Sequence, residues 1–337
     1  MQYGFSIKRK CYLLSVLLMT VWLTGCVQEE FESTPSPAGN GIRFTLTVPD
    51  VNLPSVSSRT MTGTGTAKKE DEIETVDILV FDMSKTPAVF LEWVSATGVT
   101  QDLADNSTVS FSAVLSPTTA STCIVVVANK ELDNIVSGFT KGATTKVEAM
   151  EKMLHTQTGK WLADGSTTGG YTRIPMYGEK VISKITPSMN PITEINMKRM
   201  LARIDIRNNS VTSNFMVEEV YLANYNTTGY IAPAWNTNGQ VTEPAPDTPV
   251  LPTGSGKMTE EGNAILYSVN GNTPYDGEIY TFESLAAGDA GGAGQDGEAS
   301  RKDATCLIVK GKIGTGESTF YRVDFTKTGN IGEQVEY

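Results

Sequence analysis

Short stretches in which apolar and polar residues alternate recur along most of the chain, and they predict β-strands. In the first of them, residues 42–48, the apolar side chains fall on one face of an extended chain: Ile42, Phe44, Leu46 and Val48. A period of two is typical of a strand with one buried face. Further strands are predicted at 73–81, 109–115, 123–128, 195–206, 217–223, 265–269, 278–282, 305–313 and 320–325. Because Gly, Asn, Asp and Pro separate these stretches, the pattern predicts an all-β fold.

One segment has the pattern of a helix instead. Thr145 and Glu148 have the spacing of a capping box, and Val147 and Met150 follow at helical intervals. We expect His155 to end this helix, where a protonated imidazole would interact favourably with the helix dipole. The histidine therefore needs no catalytic role.

The N-terminus has the layout of an export signal. The basic cluster 8–10 precedes an apolar run at 12–23, and Leu-Thr-Gly stands directly before Cys26. The run is too short to cross a hydrocarbon layer of about 30 Å as a mature helix. The residues around Cys26 resemble the lipobox of bacterial lipoproteins. This implies a diacylglycerol on the Cys26 thiol, an acyl chain such as palmitate on the new N-terminus, and attachment to a membrane through these lipids. The alternative is an ordinary signal peptide with an incidental cysteine.

The length of 337 residues favours more than one domain. We predict a lipoprotein signal peptide at 1–25 and, from its Glu, Ser, Pro and Gly content, a tether at 26–40. An N-terminal β-domain is then expected at 41–187 and a C-terminal β-domain at 188–337, with the Pro-rich region before residue 191 as the boundary.

Composition excludes several classes of function. With 38 acidic and 27 basic side chains, the net charge of −11 disfavours nucleic-acid binding. A single histidine cannot build a multi-histidine metal site, so we predict no metal and no cofactor. Neither a catalytic triad nor a phosphate loop is recognisable, and we predict no catalytic residues. An exported hydrolase is the least favoured of three hypotheses, and the other two are given below.

Several other residue groups have ordinary structural interpretations. Cys123 and Cys306 lie inside apolar runs and are expected to be buried thiols. The acidic run 70–74 is expected to be a solvated approach to a strand. The tryptophans could line a glycan-binding face, but core packing is the simpler interpretation; they include Trp93, Trp161 and Trp235.

Segments spread over the mature chain resemble, in the same order, segments of one known family. They lie at 57–60, 74–82, 123–129, 174–179, 197–206, 279–283, 307–311 and 321–325. The most specific is 197–206, Met-Lys-Arg-Met-Leu-Ala-Arg-Ile-Asp-Ile. Together with the motif at Cys26, their order resembles the fimbrillin family, the lipoprotein-derived subunits of type V pili.

This resemblance implies two transthyretin-like β-sandwich domains with one short helix region and assembly by donor-strand exchange. It implies an outer-membrane lipoprotein precursor that an arginine-specific protease cuts after Arg59, so that Thr60 becomes the new N-terminus. The strand removed would be the one at 42–48. Other fimbrial subunits are then partners, the location is the cell surface and its fimbriae, and the role is adhesion to a receptor that the sequence does not identify.

Two alternatives stay open. Arg59 could be a surface-loop arginine with no processing role, in a segment that resembles sites of tolerated nicking. The chain could also be a monomeric, lipid-anchored surface adhesin or glycan-binding lipoprotein that does not polymerise.

Family members usually continue past 321–325 into their last strands, whereas this sequence ends at Tyr337. Either the sequence is truncated or this subunit cannot donate a strand in the usual way, while acceptance of a strand stays possible.

Overall fold

The computed structural model of the protein describes residues 42–47, 70–101, 108–163, 172–187, 189, 191–206, 208, 214–242, 249–254, 257–258, 263–268, 275–288, 298–326 and 329–335. These residues are mainly β-strands. The strands are β1 Ile42–Thr47, β2 Val76–Asp82, β3 Val89–Ser95, β4 Thr97–Gln101, β5 Thr108–Ala113, β6 Thr122–Ala128, β7 Leu154–Thr156, β8 Met176–Ile182, β9 Ile192–Asn196, β10 Lys198–Arg199, β11 Leu201–Ile206, β12 Phe215–Ala223, β13 Tyr225–Asn226, β14 Thr228–Tyr230, β15 Lys257–Met258, β16 Ile265–Ser268, β17 Tyr275–Phe282, β18 Ala286–Ala287, β19 Glu298–Ala299, β20 Cys306–Ile313, β21 Thr319–Thr326 and β22 Gly329–Val335. The helices are α1 Asp133–Val136, α2 Lys146–Lys152 and a 3₁₀ turn at Arg301–Asp303.

The first sandwich consists of two sheets around an apolar core. One has the strand order β4-β5-β1-β9 and the other β10-β8-β6-β2-β3. Alternate residues of the central strands β2 and β6, such as Ile78 and Val126, pack against Phe44 and Phe111 of the facing sheet. The intervening residues, such as Leu79, point to a second apolar layer that includes residues of α2. Burial on both faces explains why β6 is apolar almost without interruption.

The second sandwich pairs a five-stranded sheet with a two-stranded one. The orders are β16-β12-β20-β21-β22 and β11-β17. Val220 and Val309 of the larger sheet share one core with Ile279 of the smaller. The all-β prediction with two β-sandwiches is thus confirmed. The proposed domain boundary between residues 187 and 188 stays a prediction.

The predicted continuous strand at 195–206 is wrong. The chain here is divided among β9, β10 and β11, which belong to three different sheets. Met197 and Met200, which separate these short strands, are both buried. A period-two pattern shows which side chains are buried, but it does not reveal that the chain passes from one sheet to the next.

The helix prediction is confirmed at its start and wrong at its end. The hydroxyl of Thr145 accepts a hydrogen bond from the Glu148 amide at 3.2 Å, and the Glu148 carboxylate accepts one from the Thr145 amide at 2.7 Å. This capping box begins α2. The helix stops at Lys152, so His155 does not end it and lies in β7, opposite Gly229 of β14.

His155 is half-buried beside two aromatic side chains. Its ring lies 5.0 Å from the ring of Trp161 and 6.4 Å from that of Phe282. Burial, with the nearby charge of Lys130, lowers the pKa of the imidazole. The expected interaction of a protonated His155 with the helix dipole is therefore replaced by packing of a neutral ring.

The cysteines and tryptophans among the described residues pack inside the fold. Cys123 and Cys306 are buried free thiols, as predicted. Trp161 is buried and donates its indole N–H to the Thr172 carbonyl at 2.9 Å, while Trp93 and Trp235 pack against the same apolar layer. Within the described ranges, no helix combines the length and the apolar composition that crossing a membrane requires.

Candidate functional site

The first strand lies inside a sheet and is paired along both of its edges. β1 is antiparallel to β5, with Phe44 opposite Phe111, and parallel to β9, with Phe44 opposite Ile192. Loss of β1 would therefore leave two neighbouring strands with unpaired backbone N–H and C=O groups facing each other. Such a gap has the width and the hydrogen-bonding pattern to accept one extended chain.

The inward face of β1 completes the core of the first sandwich. Ile42 is buried, and Phe44 is 0% exposed. The Phe44 and Phe111 rings stack with their centroids 5.1 Å apart and their planes 7° apart. Burial of a large apolar side chain contributes about 1.5–3 kcal/mol, so an emptied groove would strongly favour refilling.

Only part of the predicted processing machinery falls on described residues. Ile42 and Phe44 lie in β1 with buried side chains, and Leu46 lies in the same strand with its backbone opposite Val109 of β5. The remaining predicted positions lie outside the described residues: Val48 of the first strand, Cys26, Arg59 and Thr60.

The described structure resumes at residues 70–75, a turn and a short irregular segment before β2, which we call the strap. Glu70 begins it, with a carboxylate that is only 7% exposed. Both carboxylate oxygens accept hydrogen bonds from Nη1 of Arg203, at 3.0 and 2.9 Å, and one accepts from the Tyr280 hydroxyl at 2.5 Å. Arg203 belongs to β11 and Tyr280 to β17, so this ion pair ties the strap to the second sandwich.

Further polar contacts follow along the strap. Asp71 pairs with Arg199, and Arg173 bridges the carboxylates of Glu72 and Glu74, at 3.3 and 2.7 Å. On the other side, the Asn129 amide donates to the carbonyl of Glu72 at 2.7 Å and accepts from the amide of Glu74 at 3.0 Å.

The expectation of a solvated acidic run is therefore wrong at Glu70. The reason is that arginines distant in the sequence converge on the run. The alternation of Arg199 and Arg203 with apolar residues was the available signal, but no local pattern relates it to residues 70–74.

A buried polar cluster lies at the first residue of α2, Lys146. The ammonium group of Lys146 contacts the Glu179 carboxylate at 2.6 Å, and the Tyr177 hydroxyl donates to the same carboxylate at 2.5 Å. Burial holds the pKa of Tyr177 well above its usual range, and burial raises the pKa of the neighbouring Cys123 to about 11. Both groups are protonated at neutral pH, so neither supplies a nucleophile.

The comparison with solved structures finds proteins from Parabacteroides distasonis and Bacteroides ovatus. A candidate cell adhesion protein from Parabacteroides distasonis ATCC 8503 is 16% identical, with 84% of this chain and 79% of that chain covered and a TM-score of 0.46. A fimbrial assembly protein from the same organism is 9% identical, with 88% and 98% covered and a TM-score of 0.40. A candidate adhesin from Bacteroides ovatus is 13% identical, with 81% and 73% covered and a TM-score of 0.33. No curated protein matches the chain.

A family model described as "Major fimbrial subunit protein (FimA)" matches residues 42–300. The match begins at the first residue of β1, covers the first sandwich and the part of the second sandwich up to β19, and ends directly before the 3₁₀ turn at Arg301–Asp303. It confirms the resemblance that we drew from segments occurring in the same order as in the family. Members of this family are structural proteins of the fimbrium rather than enzymes. Because the match covers most of its length, the chain belongs to the major fimbrial subunit protein (FimA) family.

Proposed function

We propose that this fimbrial subunit is made as an outer-membrane lipoprotein precursor and that removal of β1 activates it for assembly. In this proposal Cys26 carries the lipid, an arginine-specific protease cuts after Arg59, and the fragment ending at Arg59 leaves with the strand at 42–48. The observation that carries the proposal is the position of β1, paired on both edges between β5 and β9 with Phe44 in the core.

Refilling of the groove supplies the driving force for assembly. A strand from another subunit would restore hydrogen bonds to β5 and β9 and cover the apolar surface that Ile42 and Phe44 cover in the precursor. Because one subunit then fills the groove of the next, the contact is heterologous and repeats into an open filament. The mature subunit acts in the fimbrium at the cell surface, in adhesion and without catalysis.

The contacts of the strap would hold the chain in place beyond the proposed cut. Removal of residues up to 59 leaves the chain from Glu70 onward held by Arg203, Tyr280 and Asn129. The processed subunit therefore keeps its remaining first-sandwich strands fixed beside the open groove. A cut in a Ser-, Gly- and Thr-rich segment is the kind that folded domains tolerate.

Treatment of the purified full-length precursor with an arginine-specific protease tests the proposal. We expect a new N-terminus at Thr60 by N-terminal sequencing, and assembly of the product with other fimbrial subunits by size-exclusion chromatography and electron microscopy. Arg59→Lys is the matched control, because it keeps the positive charge but removes the arginine that the protease requires. A product with no cut at Arg59, or one that never assembles, would favour the monomeric surface adhesin.

A further inference from the structure

We propose that the groove under β1 selects an incoming strand that places an aromatic ring opposite Phe111. This inference rests on the proposed function, because it names the chemistry of the strand that refills the groove. It goes beyond that function by assigning selectivity to one position.

The two described inward positions of β1 differ in what they meet. Ile42 lies opposite Ala113, a small buried residue that leaves room for an aliphatic side chain. Phe44 lies opposite Phe111, which is only 2% exposed, and the two rings are stacked nearly parallel. A bulky apolar side chain therefore suffices at the position of Ile42, whereas the position of Phe44 also favours a flat ring.

Loss of β1 would uncover one face of the Phe111 ring. A branched aliphatic side chain covers that face less completely, because it has no flat ring. Phe44 stacks its ring nearly parallel to that of Phe111, with the centroids 5.1 Å apart. A stacked aromatic pair is favoured beyond its buried area, by an amount that corresponds to about two- to tenfold in affinity. Imperfect filling of the site by a smaller side chain adds to that difference.

The polar positions of the strand carry less selectivity. Arg43 and Thr45 alternate with the inward residues and are half-buried. Replacement there leaves the core of the sandwich unchanged. We infer that the recognised pattern is an apolar residue, any residue, and then an aromatic residue.

A strand of this chain provides an internal comparison. β22 has the sequence Gly-Asn-Ile-Gly-Glu-Gln-Val and contains no aromatic residue. We expect a peptide of that sequence to be a poor ligand for the groove, even though it forms a strand in its own sheet. The favoured donor is then a strand of different sequence that carries a Phe, Tyr or Trp.

The test uses the full-length chain, cut by the arginine-specific protease, and fluorescent peptides of residues 41–49. Exchange into the cut protein is measured by fluorescence anisotropy for the natural sequence and for Phe44→Tyr, Phe44→Leu and Ile42→Leu peptides. We expect the Phe44→Leu peptide to bind on the order of tenfold more weakly than the natural peptide. The Phe44→Tyr peptide should lie between them, because it keeps the stacked ring but places a hydroxyl where Phe44 is 0% exposed. The matched Ile42→Leu peptide and the β22 peptide provide the aliphatic and the non-aromatic comparisons.

A second variant assigns the preference to the ring of Phe111. In the Phe111→Leu protein, the Phe44→Leu peptide should bind within about twofold of the natural peptide, because the stacking partner is gone. If that protein does not fold, the peptide series on the natural protein decides alone. Equal binding of the Phe44→Leu and natural peptides overturns the inference but leaves the proposed function standing. Failure of every peptide to exchange overturns the proposed function, and the inference with it.

Discussion

The carboxylate of Glu70 receives three hydrogen bonds at a position that excludes most of the solvent. A buried charge is tolerated only where partners replace its hydration. Arg203 supplies the opposite charge and Tyr280 the remaining hydrogen bond, so the three side chains depend on one another.

Replacement of Glu70 by Gln is expected to lower the free energy of unfolding by about 1–3 kcal/mol, because the Arg203 and Tyr280 donors lose a charged acceptor. Urea denaturation followed by circular dichroism measures this. Glu74→Gln is the matched control: its carboxylate is 61% exposed and paired with Arg173, and we expect a change below about 0.5 kcal/mol. Equal effects of the two substitutions would contradict a special role for the buried carboxylate.

His155 is expected to make the stability of the fold depend on pH. Burial lowers the pKa of the folded imidazole below the unfolded value near 6.5. As pH falls below about 6.5, the unfolded chain therefore binds a proton that the folded chain does not, and stability decreases until the pH reaches the folded pKa.

Unfolding of the natural chain and of His155→Gln, measured from pH 7.5 to 5, isolates this contribution. The natural chain should lose more stability on acidification than the variant, with an extra slope of at most about 1.4 kcal/mol per pH unit. Parallel curves would show that His155 does not titrate differently in the two states.

At the scale of elements, the sequence predicts where a strand lies and which face is buried far better than it predicts the neighbouring strands. The alternation in 42–48 correctly predicts a strand with a buried face, since Ile42 and Phe44 are buried. It cannot reveal that β5 and β9 flank that strand, because both pairings join segments distant in sequence. Local capping chemistry likewise predicts where α2 begins, whereas the position of His155 depends on the distant β14. Ion pairs such as Glu70–Arg203 have no local signal at all.

The role of β1 in the uncut chain can be measured directly. Phe44→Ala is expected to cost about 3–5 kcal/mol of unfolding free energy, because a fully buried ring is replaced by a cavity beside Phe111. Thr45→Ala, on the half-buried face of the same strand, should cost roughly 0.5 kcal/mol. Denaturant titration of both variants compares them, and similar losses would mean that Phe44 adds little to the core.

For the whole molecule, the two sandwiches share one apolar layer. Ile231, Tyr280 and Phe282 of the later chain pack with Leu79 and Met150 of the earlier chain. The prediction of two β-sandwiches from strand patterns and family resemblance is confirmed, but this joint layer was not predicted, because burial patterns do not indicate which distant segment covers a face.

Attachment of the whole precursor to the membrane depends on one thiol in our proposal. Cys26→Ala should abolish incorporation of labelled palmitate and move the protein out of the membrane fraction. Cys11→Ala changes a cysteine within the predicted signal peptide and should leave both unchanged. Loss of labelling in both variants, or in neither, would contradict lipidation at Cys26.

The parallel pairing of β1 with β9 has a mechanical consequence. β9 continues within a few residues into β10 and β11, the latter a strand of the second sandwich. If a neighbour's strand occupies the place of β1, tension along a fibre would load its bonds to β9 in shear, so that they resist together instead of opening one by one. Force would then pass along the covalent chain from β9 towards the next sandwich, and the junction between subunits would yield only when several hydrogen bonds break at once.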